Sequence, residues 1–168
     1  MKNYIIGILI VIILVLTSLL YKSSQLPIYS EFPIKKYLNT KNYDIPLFIF
    51  AFFSEYNCRD CLKILNELNT LPSHFIINAV VPEKEVKYTI KFQKLTGFSF
   101  PLLSTSQFKK YIPWHTPTII VVSPNGYIVS VIPVIPGEPG YLKRYLSALY
   151  LKLLPVFMEY KMSQSKNP

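Results

Sequence analysis

PLFIFAFFSEYNCRDCLKILNELNTL, residues 46–71, decides the fold. Its first eight residues, Pro46–Phe53, form a continuous apolar run. Such a run suits a strand covered on both faces, as in a parallel sheet, and Pro46 is tolerable only at its start. Further on, Cys61, Ile64, Leu65 and Leu68 recur at i, i+3, i+4 and i+7, one face of a helix, while Lys63, Asn66 and Glu67 take the other. At the junction stand the only two cysteines of the chain, Cys58 and Cys61. The spacing puts Cys61 on the buried face and Cys58 one turn earlier, at the helix start, where water reaches it.

The downstream segments extend this pattern. Phe75–Val81 is apolar almost throughout and reads as a second strand, which makes the helix between the two strands the crossover of a right-handed βαβ unit. Residues 83–94 are ambiguous: Val86, Tyr88, Ile90 and Phe92 alternate like a strand, but the charged Glu83, Glu85, Lys87, Lys91 and Lys94 suit an exposed helix, and topology selects helix. Thr118–Val122 and Tyr127–Ile132 flank SPNG, which fits a type I turn and so a hairpin. Leu142, Tyr145, Leu146, Leu149 and Leu153 give a last helical stripe, with Pro155 expected to end it and the tail Lys161–Pro168 expected to be unstructured. The fold class is α/β.

The chain has 168 residues, enough for one domain with a proper core, and its mean hydropathy of +0.29 is high for a soluble domain. Residues 3–21, between Lys2 and Lys22, carry no charge and account for the excess. A stretch of about 20 apolar residues matches a transmembrane helix. A cleaved signal would need a shorter apolar region and small residues before the cut, and the first alanine is Ala51. Residues 22–45, with Pro27 and Pro33, read as a linker, and 46–160 as the folded domain. Lys2 on one side against Lys22, Lys35 and Lys36 on the other does not favour an inside N-terminus. Short N-terminal anchors usually export the chain attached to them, so the domain is expected outside the cytoplasm, single-pass, near membrane lipid. The net charge of +9 comes from scattered lysines without a nucleic-acid motif, and nucleic acid is not an expected partner.

The apolar strand leading into CRDC, the sequence HTPTIIVV and the PNG hairpin together resemble the thioredoxin fold, over about residues 46–153. The N-terminal anchor, and the extra length between Cys61 and Pro117 that includes FSFPLLS (Phe98–Ser104), resemble the membrane-anchored TlpA-like thiol–disulfide oxidoreductases. The resemblance implies a mixed central sheet flanked by helices, a cis Pro117 beside the cysteines, and Thr116 and Pro117 presenting backbone to a substrate chain. It also implies Cys58 as the attacking and Cys61 as the resolving sulfur, with no cofactor. The expected partners are cysteine-containing exported or membrane proteins and an upstream redox donor or acceptor, the reducing direction being slightly favoured. Three features depart from the family: Asn57 stands where Trp is usual, Arg59-Asp60 fill the middle of the motif, and the position of the buried acid of thioredoxin is Phe52.

Three other readings compete. Cys58, Cys61 and His115 could bind copper or zinc, though three ligands fall one short of a closed zinc site. A peroxidase would need a Thr before the attacking Cys, which SEYNC does not supply. A non-catalytic interaction module would have no use for the cysteine pair. Trp114 reads as a core or groove aromatic and His74 as a loop residue.

Overall fold

A computed structural model describes residues 10–17, 30–34, 46–54, 61–113, 116–134, 138 and 140–165. Its centre is a five-stranded sheet in the order β3-β2-β1-β4-β5. Strands β1 (Leu47–Phe52) and β2 (Phe75–Val81) are parallel, joined by helix α1 (Cys61–Asn69). Strand β3 (Leu102–Ser104) continues the parallel half after helix α2 (Val86–Thr96), whereas β4 (Thr118–Val122) and β5 (Ile128–Pro133) form an antiparallel hairpin on the other side of β1. Helix α3 (Tyr141–Ser165) closes the fold.

The apolar run of β1 works because both faces are covered. Leu47, Ile49, Ala51 and Phe53 enter one core with Ile64, Leu65 and Leu68 of α1 and Leu142 and Leu146 of α3. Phe48, Phe50 and Phe52 point the opposite way, into a second core with Phe108, Ile120, Val122 and Ile128. Alternation of side chains along a strand sends successive residues to opposite faces. All six residues of β1 are buried for that reason. The helical face expected for α1 is likewise the buried one.

Residues 83–94 settle as expected by topology: a 3₁₀ turn, Glu83–Glu85, leads into α2. Gly97 ends α2 at φ 73°, its N–H bonded to the Gln93 carbonyl, a conformation that costs glycine little. FSFPLLS supplies β3, and Phe98 and Phe100 stack at 5.0 Å beneath it.

Three features of the sequence reading come out differently. Pro155 does not end α3, which runs to Ser165, so residues 161–165 of the expected unstructured tail are helical. Proline removes only the bond to the carbonyl four residues earlier, that of Leu151. Leu151 is 67% exposed and Pro155 is exposed too, so the interruption falls on the solvent side, where water compensates. Within the stretch read as linker, residues 30–34 pack onto the domain. Phe32 and Ile34 are each 1% exposed in the second core. Glu31 bridges Tyr127, and the Phe32 N–H donates to the Gly126 carbonyl at 2.7 Å. Two apolar residues among polar neighbours give no periodicity, which hid this strap from the sequence pattern.

Of residues 3–21, the described part, 10–17, is helical, and each apolar side chain from Ile10 to Leu16 is at least 50% exposed. The Thr17 hydroxyl donates back to the carbonyls of Ile13 and Leu14. Among the described residues no helix is long and apolar enough to cross a membrane.

Candidate active site

The carboxyl ends of β1 and β2 lie side by side, because the two strands are parallel and Phe52 is level with Val80. The chain leaves β1 through Phe53 and Ser54, and the first described residue of α1 is Cys61. Cys61 is 5% exposed, packed in the first core, and disulfide-bonded. The sequence offers one other cysteine, Cys58, which lies outside the described residues.

β4 runs antiparallel to β1 and pairs Thr118 with Phe52. Its beginning is therefore at the same end of the sheet as the start of α1. The Thr116–Pro117 bond there is cis. Both residues are half-buried, and the Pro117 carbonyl accepts the Val134 N–H at 3.0 Å. Pro117 has no N–H, and its carbonyl is engaged by Val134. Trp114 and His115 lie outside the described residues. Of the alternative metal-ligand set only Cys61 is described; it is half of a disulfide, and metals bind the thiolate.

The same end of the sheet holds a pair that the sequence reading did not single out. Glu85, at the close of the 3₁₀ turn after β2, is 6% exposed. The Ser54 hydroxyl, itself 5% exposed, faces both of its carboxylate oxygens at 2.9 and 3.1 Å. The Glu85 carbonyl accepts from the Thr89 hydroxyl. A carboxylate is rarely buried without a partner, and a hydrogen bond to a charged group is stronger than a neutral one. Glu85 belongs to a run of charged residues that reads as a solvated face, so nothing local in the sequence marks it. The signal lay in topology: β2 ends beside β1, and the first turn after it meets Ser54 at the end of β1.

His74, in the turn before β2, is at the opposite end of the sheet, where its carbonyl accepts the Leu47 N–H. Its ring stacks on Tyr150 at 4.0 Å, and burial lowers its pKa below the ordinary 6.5. It is a packing residue.

The architecture is that of a thioredoxin-like fold: a mixed sheet flanked by helices, with a cis-proline and the helix that carries Cys61 at the same end of its central strands. Solved structures share it. The chain aligns with StoA from Bacillus subtilis at TM-score 0.50 and 19% identity, covering 63% of this chain and 85% of that one. A cysteine-to-serine mutant of PrxQ from Xylella fastidiosa aligns at TM-score 0.57 and 19% identity, covering 77% and 98%. A secreted Mycobacterium tuberculosis disulfide oxidoreductase, homologous to E. coli DsbE, aligns at TM-score 0.50 and 13% identity, covering 61% and 81%. At these identities the likeness is one of fold. No protein-family model matches the chain, and no curated protein matches it in sequence.

Proposed function

We propose that the protein is a thiol–disulfide oxidoreductase of the TlpA-like kind, held at a membrane by residues 3–21 and acting outside the cytoplasm on cysteine-containing proteins. The observation that carries this reading is the disulfide of Cys61, the first described residue of α1 and part of its buried face. Three of the structural neighbours also bear on it, since all share the fold and the Mycobacterium tuberculosis protein is a disulfide oxidoreductase.

The chemistry derives from the helix start. Unpaired N–H groups at a helix N-terminus favour negative charge, and so favour a thiolate over a thiol. In the reducing direction, the Cys58 thiolate attacks a substrate disulfide, forming a mixed disulfide and expelling one substrate thiolate. Cys61 then gives up its proton and attacks the Cys58 sulfur. The second substrate thiolate leaves, and the protein ends as the Cys58–Cys61 disulfide. An upstream dithiol donor must return the two electrons. The main chain of Thr116 lies beside the incoming substrate chain, next to the cis bond. Glu85 is the acid–base candidate for the buried sulfur. It takes the part that Phe52 cannot, from the neighbouring strand end and not from β1 itself.

Cys58→Ser should abolish reduction of insulin by the full-length protein. Cys61→Ser should instead accumulate a stable mixed disulfide with its partner, separable by non-reducing electrophoresis. Undiminished insulin reduction by the Cys58→Ser protein would refute the assignment.

A further inference from the structure

The geometry points to the distal half of α3 as a second membrane contact: an interfacial helix that lies on an anionic bilayer. The cysteine end of the domain is then turned away from the lipid, toward partners in the aqueous phase. This rests on the anchored reading of residues 3–21.

Leu151, Pro155, Met158 and Met162 recur at i, i+4, i+7 and i+11, one stripe along a helix. Three of them, Leu151, Met158 and Met162, are 67%, 51% and 57% exposed. Phe157 of the same stretch is buried in the first core and Leu153 packs against it, so the stripe is the outer face of a helix docked on the domain. A contiguous exposed apolar face of that kind marks an interaction site. Its direction is fixed by neighbours. Tyr145 meets Ser130, and Tyr150 stacks on His74, which is level with the start of β1. α3 therefore runs away from the cysteine end of the sheet, and Leu151 to Ser165 continue that course for about 22 Å. The strap and the β4–β5 turn, joined by Phe32 and Gly126, are at this same end, since Val122 pairs with Phe48.

The occupant is argued from charge and from the bond that Pro155 breaks. From Glu138 onward the sequence holds Lys143, Arg144, Lys152, Lys161 and Lys166 against two acids, Glu138 and Glu159. Arg144 is paired with Glu138, which leaves four lysines against Glu159. Basic residues beside an apolar helical stripe suit an anionic headgroup layer. Pro155 cannot donate to the Leu151 carbonyl, so this face keeps a polar group. That suits the headgroup boundary and not the hydrocarbon centre. Residues 22–29 span at most about 28 Å, so a domain tethered through Ser30 stays within reach of the bilayer.

The test uses the full chain with Cys58 and Cys61 both changed to Ser. A single environment-sensitive fluorophore is placed on Met158→Cys or, as the control at the cysteine end, on Lys84→Cys. The protein is reconstituted into phosphatidylcholine vesicles with and without phosphatidylglycerol. With phosphatidylglycerol, emission from position 158 should shift to the blue and be quenched by lipid-borne nitroxide, while position 84 stays open to aqueous iodide. Neutralising Lys152 and Lys161 to Gln should lower the docking constant by about fivefold per lysine removed. A chain that floats with the vesicles but shows position 158 as open to iodide as position 84 overturns the docking and leaves the anchor standing. A chain that does not float overturns both. Shielding of position 158 without lipid, rising with protein concentration, assigns the stripe to a second copy and overturns the proposal.

Discussion

Phe32→Ala is the sharpest test of how the domain is bounded. The Phe32 ring is 1% exposed and faces Phe50 at 4.6 Å, Tyr111 at 4.9 Å and Phe108 at 5.4 Å. Truncating a buried Phe costs about 3–5 kcal/mol, and close aromatic pairs add to the area term. The upper half of that range is expected, because Phe50 is held by the sheet and Phe108 by the 3₁₀ turn Thr105–Phe108, which limits how far the pocket can close. A loss of about 4 kcal/mol with a urea slope of about 2 kcal/mol/M moves the unfolding midpoint down by about 2 M. The assay is urea unfolding of the full-length protein followed by circular dichroism, with Phe32→Leu as the milder control. A midpoint within about 0.5 M of the unchanged protein, with the same slope, would show that the strap adds nothing to the fold. The domain would then begin at Pro46, as the sequence pattern suggests.

The other predictions are simpler. Glu85→Gln keeps an acceptor for Ser54 but removes the charge; insulin reduction should slow by about a hundredfold, with a small fall in the thermal midpoint from the weakened bond to Ser54, and an unchanged rate would remove Glu85 from the mechanism. The lowered pKa of His74 means that the unfolded chain binds a proton more readily than the folded one. Stability tied to this residue is therefore complete above about pH 6.5 and is lost as pH falls through the folded value. His74→Phe should flatten the dependence of the urea midpoint on pH below 6.5, and an unaltered slope would show that other groups set it. Asn78 is 4% exposed in β2, and its amide nitrogen has no hydrogen-bond partner. Asn78→Val should raise stability by about 1–2 kcal/mol, read as a higher urea midpoint, because it removes an uncompensated desolvation cost.

Much of the fold was legible because its elements obey local rules. The run at Pro46–Phe53 suits a strand dry on both sides, and the i, i+3, i+4, i+7 spacing from Cys61 named the buried face of α1 residue by residue. The PNG turn marked the hairpin. What escaped notice depends on contacts between distant segments. Phe32 and Ile34 are two isolated apolar residues whose burial needs a pocket made by β1, Phe108 and Tyr111. Glu85 looks like one more charge on an exposed helix until β2 brings it against Ser54. Pro155 reads as a stop because sequence cannot say which side of a helix faces water. For the site, the position of Cys61 followed from periodicity, and the cis bond at Pro117 followed from the resemblance to a known fold and not from any pattern in the residues.

The division of β1 between two cores has a thermodynamic consequence. Neither hydrophobic cluster can open while the other stays shut, because each uses the same six-residue strand as its wall. Melting should therefore be a single event for helices and strap alike. The amides of Leu47–Phe52 should exchange with deuterium only when the whole domain comes apart.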